Sequence, residues 1–179
     1  MTRQLRRRAL CLAALLGGAL TGCGFQPVYM PTQSGKAGIA QRELASVYVG
    51  PIGERPGQLL RQALQERFGN DSGTPAAYDL TVTYGIAGEG IAIEANNLAT
   101  RLRLSGNATY TLIARDAKRT VLTTGGVRAS DGVNVLDSQY FAADLEVEAK
   151  QKSIAENLAT QIATRLAVWF RQQAAKQAG

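Results

Sequence analysis

The chain has 179 residues, with 20 Lys+Arg against 14 Asp+Glu, two cysteines and no histidine. A domain commonly takes about 100–200 residues, so this length indicates one domain. The absence of histidine excludes Ser-His-Asp triads and His-ligated zinc, and the composition therefore argues against an enzyme.

Most of the net charge of +6 belongs to the first eight residues, which include four arginines (Arg3, Arg6, Arg7 and Arg8). Without them, 16 basic residues remain against 14 acidic ones, a balance of +2. A body this close to neutrality gives no support for a nucleic-acid partner. The uncharged stretch Ala9–Leu20 follows and is shorter than the roughly 20 apolar residues that span a bilayer. A basic start followed by a short apolar stretch predicts a signal peptide over residues 1–22.

The segment Leu20-Thr21-Gly22-Cys23 resembles the bacterial lipobox, in which small residues precede an invariant cysteine. The resemblance implies cleavage after Gly22 and attachment of a diacylglyceryl thioether and an N-acyl chain such as palmitate to Cys23. The alternative is a free or disulfide-bonded thiol, but its one potential partner, Cys11, lies in the removed segment. Because Gly24 is not acidic, the resemblance to sorted lipoproteins implies residence in the outer membrane.

Residues 23–42 carry prolines and glycines between polar residues and predict an extended tether that follows the lipid anchor. At about 3.1 Å per residue, such a tether reaches roughly 60 Å. Phe25 and Tyr29 within it are predicted to dock on the domain or to sit near the lipid surface, docking being the simpler interpretation. The remaining residues, 43–179, are predicted to form one domain.

The first elements of this domain are predicted to be a strand over Leu44–Val49 and a helix that ends at Gly69-Asn70. Apolar residues recur at helical spacing in this helix: Leu59, Leu60, Ala63, Leu64 and Phe68. Period-two alternation predicts two half-buried strands, over Tyr78–Ile86 and Leu98–Leu112. The intervening Gly85–Gly90 does not match the spacing of a phosphate-binding loop and is predicted to be a loop at a strand end.

A tight turn at Arg115–Lys118 is predicted to lead into a strand over Thr120–Val127, with a candidate bulge at Gly125-Gly126. The faces of this strand are not assigned by its pattern. Residues 142–175 are predicted to be helical, with one principal apolar stripe: Leu145, Ile154, Leu158, Ile162, Leu166 and Trp169.

This order of elements, β-α-β-β-β-α, predicts an α+β fold. Adjacent strands favour an antiparallel meander, and one-sided alternation requires a single covering layer of helices. The prediction is a two-layer sandwich, in which two helices cover one face of a mostly antiparallel four-stranded sheet.

Chemistry-bearing patterns are scarce in the sequence. Asp144, Glu146 and Glu148 lie close together, but on a helix this spacing divides them between faces, and a solvated first turn explains them better. We therefore predict no catalytic residue, no metal and no cofactor other than the covalent lipid.

One polar feature has functional promise, because arginine forks bind phosphate bidentately. Arg101 and Arg103 are predicted to project from the polar face of the long strand, and Arg128 follows the next strand. Arg115, Lys118 and Arg119 cluster at the hairpin tip. These six residues are candidate contacts for a phosphate-bearing partner, and the alternative is a solvated strand face and turn.

The whole layout resembles the LptE family of lipopolysaccharide-assembly lipoproteins. The resemblance rests on the lipobox with Cys23-Gly24-Phe25, the tether, a helix beginning near Pro56–Leu60, the Asn107–Thr109 strand with its hairpin, and a C-terminal helix. It implies a non-enzymatic protein on the periplasmic side of the outer membrane. Such a protein plugs the lumen of the large β-barrel LptD, supports its assembly, and binds lipopolysaccharide during insertion into the outer leaflet. The resemblance thereby makes the six cationic residues candidate contacts for lipopolysaccharide.

Two other functions remain open from the sequence. The first is an accessory lipoprotein of another envelope lipid-transport system, which could share the tether and the sandwich. The second is a cell-wall or lipid hydrolase, which would need an essential Asp or Glu.

Overall fold

The computed structural model describes residues 37–69, 73–93, 99–134 and 140–179, so the predicted signal peptide, Cys23 and most of the predicted tether lie outside the described residues. The described residues form three helices and one four-stranded sheet. In chain order these are α1 (Ile39–Ala45), β1 (Val47–Val49), α2 (Glu54–Phe68), β2 (Tyr78–Ile93), β3 (Ala99–Ala114), β4 (Val121–Asn134) and α3 (Tyr140–Ala178).

The strands lie in the order β1-β2-β3-β4. The short β1 pairs in parallel with β2, with Val47 opposite Tyr78. β2 and β3 are antiparallel neighbours, as are β3 and β4. The sheet is thus mixed but mostly antiparallel, and the predicted α+β class is confirmed.

The helices pack on one face of the sheet, where alternate strand residues form the core together with α3. The strands contribute Leu80, Val82, Leu104, Ala108, Tyr110, Leu112 and Val127. α3 contributes four fully buried side chains, namely Ile154, Leu158, Ile162 and Leu166. Alanines lie beside them in the sequence and let the helix approach the sheet closely, because their side chains are small. The two-layer prediction is therefore confirmed.

Helix α2 follows the predicted pattern, with Leu60, Ala63, Leu64 and Phe68 buried. It ends at Gly69, whose φ of 69° is left-handed and whose N–H donates to the carbonyl of Gln65 at 3.1 Å. Glycine adopts this conformation without a Cβ clash, which explains why the helix ends there.

The start of the domain differs from the prediction. Ile39–Ala45 forms the short helix α1, so the last residues of the predicted tether are helical and the first strand begins at Val47 instead of Leu44. Ala40 and Leu44 are buried, and α1 packs against α3. Burial of this face stabilises a helix that is too short to be stable alone, and a local sequence pattern cannot anticipate that contact.

The strands are longer than predicted. β2 continues through Gly85–Gly90, which is therefore not a loop at a strand end, and β4 extends to Asn134. The predicted bulge at Gly125-Gly126 is also wrong, because the register shift lies between Leu112 and Ile113 of β3. Gly125 instead leaves room for the Tyr110 ring, since a Cβ at this position would lie 2.6 Å from the Tyr110 hydroxyl oxygen.

Helix α3 carries the predicted apolar stripe except at its first member. Leu145 is 70% exposed, whereas the stripe from Ile154 to Leu166 is buried and Trp169 is partly buried. Two side chains of α3 also reach the edge strand β4: Gln161 Nε2 donates to the carbonyl of Arg128 at 3.1 Å, and Arg165 Nη1 donates to that of Gly126 at 2.6 Å. β4 is an edge strand of the described sheet, and these donors cover carbonyl groups on its open side, which protects the edge from unwanted pairing.

Candidate functional site

The face of the sheet opposite the helices is covered with small and polar side chains. Threonines, glycines, Asn107 and Ser130 alternate with the buried positions along β2, β3 and β4, and most of them are exposed. All six predicted cationic residues are exposed: three lie on this face, and the other three lie beside it at the hairpin tip. Their arrangement decides which of them can bind an anion.

Arg101, Arg103 and Arg128 lie on the same exposed face of β3 and β4, with Arg128 opposite Asn107, and we name these three residues the strand patch. Arg128 lies within β4, so the prediction that it follows the strand is wrong. Arg101 and Arg103 line a shallow pocket of about 330 Å³ with Ser130, Asp131 and Gly132. The Arg101 guanidinium lies over Gly132, where a Cβ would be 3.5 Å from its Nε atom.

Two acidic residues lie near the strand patch, Glu89 opposite Arg103 on β2 and Asp131 on β4. Neither forms an ion pair with an arginine of the strand patch among the residues that the structure describes. Asp131 lines the same pocket but accepts a bond from Lys150 Nζ of α3 at 3.3 Å. Partial burial raises the pKa of Asp131, but the Gly132 N–H and Lys150 lower it more, so Asp131 stays ionised and committed to these partners. The carboxylate of Asp131 is thus held by Lys150 of α3 and forms no ion pair with Arg101 or Arg103.

Arg115, Lys118 and Arg119 form the second group, which we name the tip cluster. Arg115 Nε and Nη2 each lie 2.7 Å from Asp79 Oδ1, and Arg119 Nη1 lies 2.5 Å from Asp79 Oδ2. The Arg115 guanidinium also lies 5.0 Å from the centre of the Tyr48 ring on β1. Two of the three cations therefore hold a carboxylate of the protein itself, and among described residues only Lys118 of this cluster has no acidic partner.

The turn that carries the tip cluster is fixed by Asp116. Its carboxylate accepts bonds from the N–H and the hydroxyl of Thr120, at 3.1 and 3.0 Å, and its carbonyl accepts the Arg119 N–H at 3.2 Å. Arg119 has a φ of 52°, a left-handed conformation that costs a non-glycine residue about 1 kcal/mol or more. The predicted turn is confirmed, and its geometry places the Arg119 guanidinium in contact with the Asp79 carboxylate.

The two groups do not form one site. Arg101 and Ala114 lie near opposite ends of β3, roughly 40 Å apart at the usual rise of a strand. A reversal of charge at the tip cluster would place new acids beside Asp79, so such a change is expected to destabilise the fold. The strand patch is the better candidate for an external phosphate.

Asp79 is a residue that the sequence did not single out. Its place on the polar face of β2 follows from the alternation, but its contact with Arg115 requires the register that sets Asp79 opposite Ile113. No local pattern gives this register. The side chain of Asp79 is only 16% exposed, and the two arginines enclose it.

We predict that Asp79 makes folding stability sensitive to acid. Partial burial by itself raises the pKa of Asp79. The hydrogen bonds and positive charges of Arg115 and Arg119 outweigh this effect and bring the pKa below its ordinary value. The resulting stabilisation is fully present above the unfolded-state pKa and is lost as the pH falls through the folded-state pKa. Asp79→Asn should lower the free energy of unfolding by about 1 kcal/mol at pH 7, a value discounted for the exposure of the arginines.

Urea unfolding at neutral and acidic pH measures this difference, which should shrink in acid. Glu66→Gln, on an exposed face of α2, is the matched control and should change stability little at either pH. An Asp79→Asn difference that grows in acid would contradict the prediction.

The predicted lipid attachment site, Gly22-Cys23, lies outside the described residues. Among the residues that the structure does describe, no helix combines the length and the apolar character needed to cross a bilayer. No group of three or more metal-ligating side chains occurs within the same residues.

Comparisons with known proteins concern most of the domain. A family model described as LptE, lipopolysaccharide-assembly, matches residues 44–166, which is well over half of the chain and includes both cationic groups. A search of curated proteins gives no significant match.

Solved structures with similar folds include three lipoproteins. A putative lipoprotein from Caulobacter crescentus matches with a TM-score of 0.62 and 23% identity, over 74% of this chain and 96% of that one. A minor lipoprotein from Acinetobacter baumannii matches with a TM-score of 0.54 and 13% identity, over 69% of this chain and 92% of that one. A lipoprotein B from Nitrosomonas europaea matches with a TM-score of 0.53 and 15% identity, over 69% of this chain and 82% of that one. At these identities the likeness concerns the fold.

Proposed function

The chain belongs to the LptE family of lipopolysaccharide-assembly lipoproteins, and from this premise we propose that it plugs and supports the outer-membrane β-barrel that inserts lipopolysaccharide. The observation that carries the proposal is the family match over residues 44–166. The family is one of non-enzymatic lipoproteins. The proposed protein works by docking, held on the periplasmic side of the outer membrane by lipid on Cys23.

The exposed sheet face supports a role as a plug. Large outer-membrane barrels have polar, water-filled interiors, so a protein seated in such a lumen needs a polar surface. β2 and β3 each have 16 residues and present a long face of threonine, serine, asparagine and glycine. Small polar side chains of this kind can hydrogen-bond a barrel wall without exposing a large apolar patch to the lumen.

Lipopolysaccharide binding is the finer part of the proposal, and the strand patch is its candidate site. Lipid A phosphates are anions that an arginine fork can bind with two parallel bonds. Arg101, Arg103 and Arg128 form no ion pair among the described residues, although Glu89 lies opposite Arg103, whereas Arg115 and Arg119 are held by Asp79. The strand patch therefore has three guanidinium groups to offer, and the tip cluster has mainly Lys118.

We predict that replacing Arg101, Arg103 and Arg128 together with glutamate weakens lipopolysaccharide binding by at least about tenfold. The reason is that each lost charge-assisted hydrogen bond is worth roughly 1.5–3 kcal/mol, and a factor of ten needs about 1.4 kcal/mol. Binding is measured with purified lipopolysaccharide at low salt and at increasing salt, because screening weakens the electrostatic part.

A control of the same net charge is the triple variant Arg42→Glu, Arg67→Glu and Lys176→Glu. These three residues are exposed and lie on the helices instead of the sheet. It should bind nearly as well as the natural chain. Equal losses in the two triple variants would assign the effect to net charge and remove the strand patch from the proposal.

The alternative function is that of an accessory lipoprotein in another envelope lipid-transport system. Co-purification from detergent-solubilised envelopes separates the two. The proposal predicts a large outer-membrane barrel as the principal partner, in comparable amount to the bait. Recovery of an inner-membrane transporter without a barrel would favour the alternative.

A further inference from the structure

A second surface of the molecule, unrelated to the arginines, is an apolar groove at the end of the sheet where the described chain begins. It lies between α1, the last turns of α3 and the hairpin end of the sheet, and it encloses about 450 Å³. We name it the aromatic groove. Its lining residues include Ile39, Tyr78, Val121, Leu122, Trp169 and Phe170.

Aromatic rings form the floor of the aromatic groove. The ring centre of Phe170 lies 5.2 Å from that of Tyr78 and 5.1 Å from that of Trp169. Glu43 is the one acidic side chain of the lining, and it accepts the Tyr78 hydroxyl at 2.8 Å. Burial, together with this carboxylate, raises the pKa of Tyr78 to about 12, so the phenol stays neutral.

The rim of the aromatic groove exposes apolar surface. Ile39 is 44% exposed and Val121 is 56% exposed, and they are among the few large apolar side chains in the described residues that face solvent to this degree. Exposed apolar surface beside a concave aromatic floor is typical of a binding groove.

The chain itself leads into this groove, because Ile39 is both the first residue of α1 and a lining residue. The residues just before it include Phe25-Gln26-Pro27-Val28-Tyr29-Met30-Pro31, with two prolines and four large apolar side chains. Proline-bearing segments favour the extended polyproline II conformation, and aromatic-lined grooves bind that conformation at low entropic cost. The groove and the segment are therefore complementary in chemistry.

The length of the connecting chain is sufficient. Tyr29 precedes Ile39 by ten residues, which reach up to roughly 31 Å when extended. The groove runs along α3 from Trp169 to Gln177, a distance of about 12 Å along the helix. Gly35 and Gly38 lie between the segment and α1 and allow the chain to turn back.

We propose that residues 25–31 of the same chain occupy the aromatic groove, with Tyr29 and its apolar neighbours packed on Trp169 and Phe170. The tether would then separate the domain from the membrane by far less than its extended length of roughly 60 Å, because residues 25–31 would be bound to the domain. The consequence for orientation rests on the proposed lipid at Cys23: a single residue, Gly24, would separate the acylated cysteine from the docked segment. The hairpin end of the sheet, with the tip cluster, would face the membrane.

Trp169 reports on this contact, because the chain has one tryptophan. In the purified mature lipoprotein in detergent, Val28→Ser with Tyr29→Ser should shift the Trp169 emission to the red. The same double variant should raise quenching by acrylamide several-fold. The matched control, Thr32→Ala with Gln33→Ala, lies in the same tether and should leave the emission unchanged.

A disulfide provides the second measurement. Tyr29→Cys with Gln173→Cys should form an intramolecular bond under mild oxidation, since Gln173 lines the groove, whereas Tyr29→Cys with Gln62→Cys on the far side of the helical layer should not. The single variant Gln173→Cys tests the lipid separately, because a disulfide to Cys23 would show that its thiol is unmodified. That result would contradict the lipid proposal and support the position of the tether.

Two results would overturn the inference. One is unchanged Trp169 emission in the tether variant combined with no Tyr29–Gln173 cross-link. The other is strong quenching of Trp169 by brominated phospholipids in vesicles, equal in the natural chain and in the tether variant. The second result would assign the groove to the bilayer.

Discussion

Replacement of Cys23 by alanine is expected to leave the signal segment uncleaved and the chain without lipid. The thioether needs a thiol, and a diacylglyceryl group with an N-acyl chain contributes about 0.8 kcal/mol for each buried methylene, enough for lasting attachment. The expected effect is therefore close to complete. Intact-mass spectrometry of the purified protein measures it, through the retained residues 1–22 and the absent acyl mass.

Mass is a better readout than cell fractionation for this variant. The retained Ala9–Leu20 stretch is apolar and can hold the precursor at the inner membrane without any lipid. Thr21→Ala is the matched control, because alanine preserves the small side chain beside the cleavage site. A Cys23→Ala chain that is still cleaved after Gly22 would show that a different signal peptidase processes the protein.

The second large effect is expected at Gly106, where β3 passes under α3. A Cβ at this position would lie 2.6 Å from Ile154 Cγ2, a fully buried atom, and 3.1 Å from the Tyr84 ring. The same Cβ would lie 3.2 Å from the Tyr84 hydroxyl oxygen, which is buried without a hydrogen-bond partner among the described residues. Gly106→Val should therefore destabilise the domain by about 3 kcal/mol, the upper part of the range for overpacking.

Gly85→Val provides the matched control in the neighbouring strand. Gly85 lies on the exposed face of β2, and a Cβ there would meet nothing within 4 Å. Valine favours strands, so this variant should be neutral or gain up to about 1 kcal/mol. Urea denaturation compares the two midpoints, and an equal loss in both variants would show that the cost comes from the strand backbone, not from contact with α3.

The orientation of the sheet is the link between the fold and the proposed function. One face carries Gly106, Tyr110 and the other positions that meet α3, and the opposite face carries the strand patch. Because side chains alternate between faces, a change of register by one residue would exchange these two surfaces. The long antiparallel pairing of β2, β3 and β4 therefore holds the arginines on the exposed face.

Most elements of the fold could be predicted because their patterns are local and repeated. Helix α2 has a complete apolar stripe and a terminal glycine, and the Tyr78–Ile86 alternation gave the faces of β2 correctly. Helix α1 was missed, because its stability depends on contact with α3 and not on its own sequence. The strand through Gly85–Gly90 was missed for a related reason: glycines favour loops locally, but here β3 supplies hydrogen bonds along the entire length.

The candidate site divides in the same way. Alternation was sufficient to place Arg101 and Arg103 on the polar face of β3. It could not separate them from Arg115 and Arg119, because all four arginines look alike until the register brings Asp79 to the hairpin tip. Helical spacing likewise placed Leu145 in the apolar stripe of α3. In the structure this side chain is 70% exposed, whereas the stripe is buried from Ile154 to Leu166.

The sequence by itself determined the fold class, through an α+β order of elements and a polar strand face with arginines. These features follow from composition and from periods of two and 3.6 residues, which act over short distances along the chain. Only the tertiary structure decided which arginines are occupied by Asp79, how closely α3 approaches Gly106, and that an aromatic groove opens where the tether joins the domain. Those facts depend on strand register and helix packing, which bring together residues far apart in sequence.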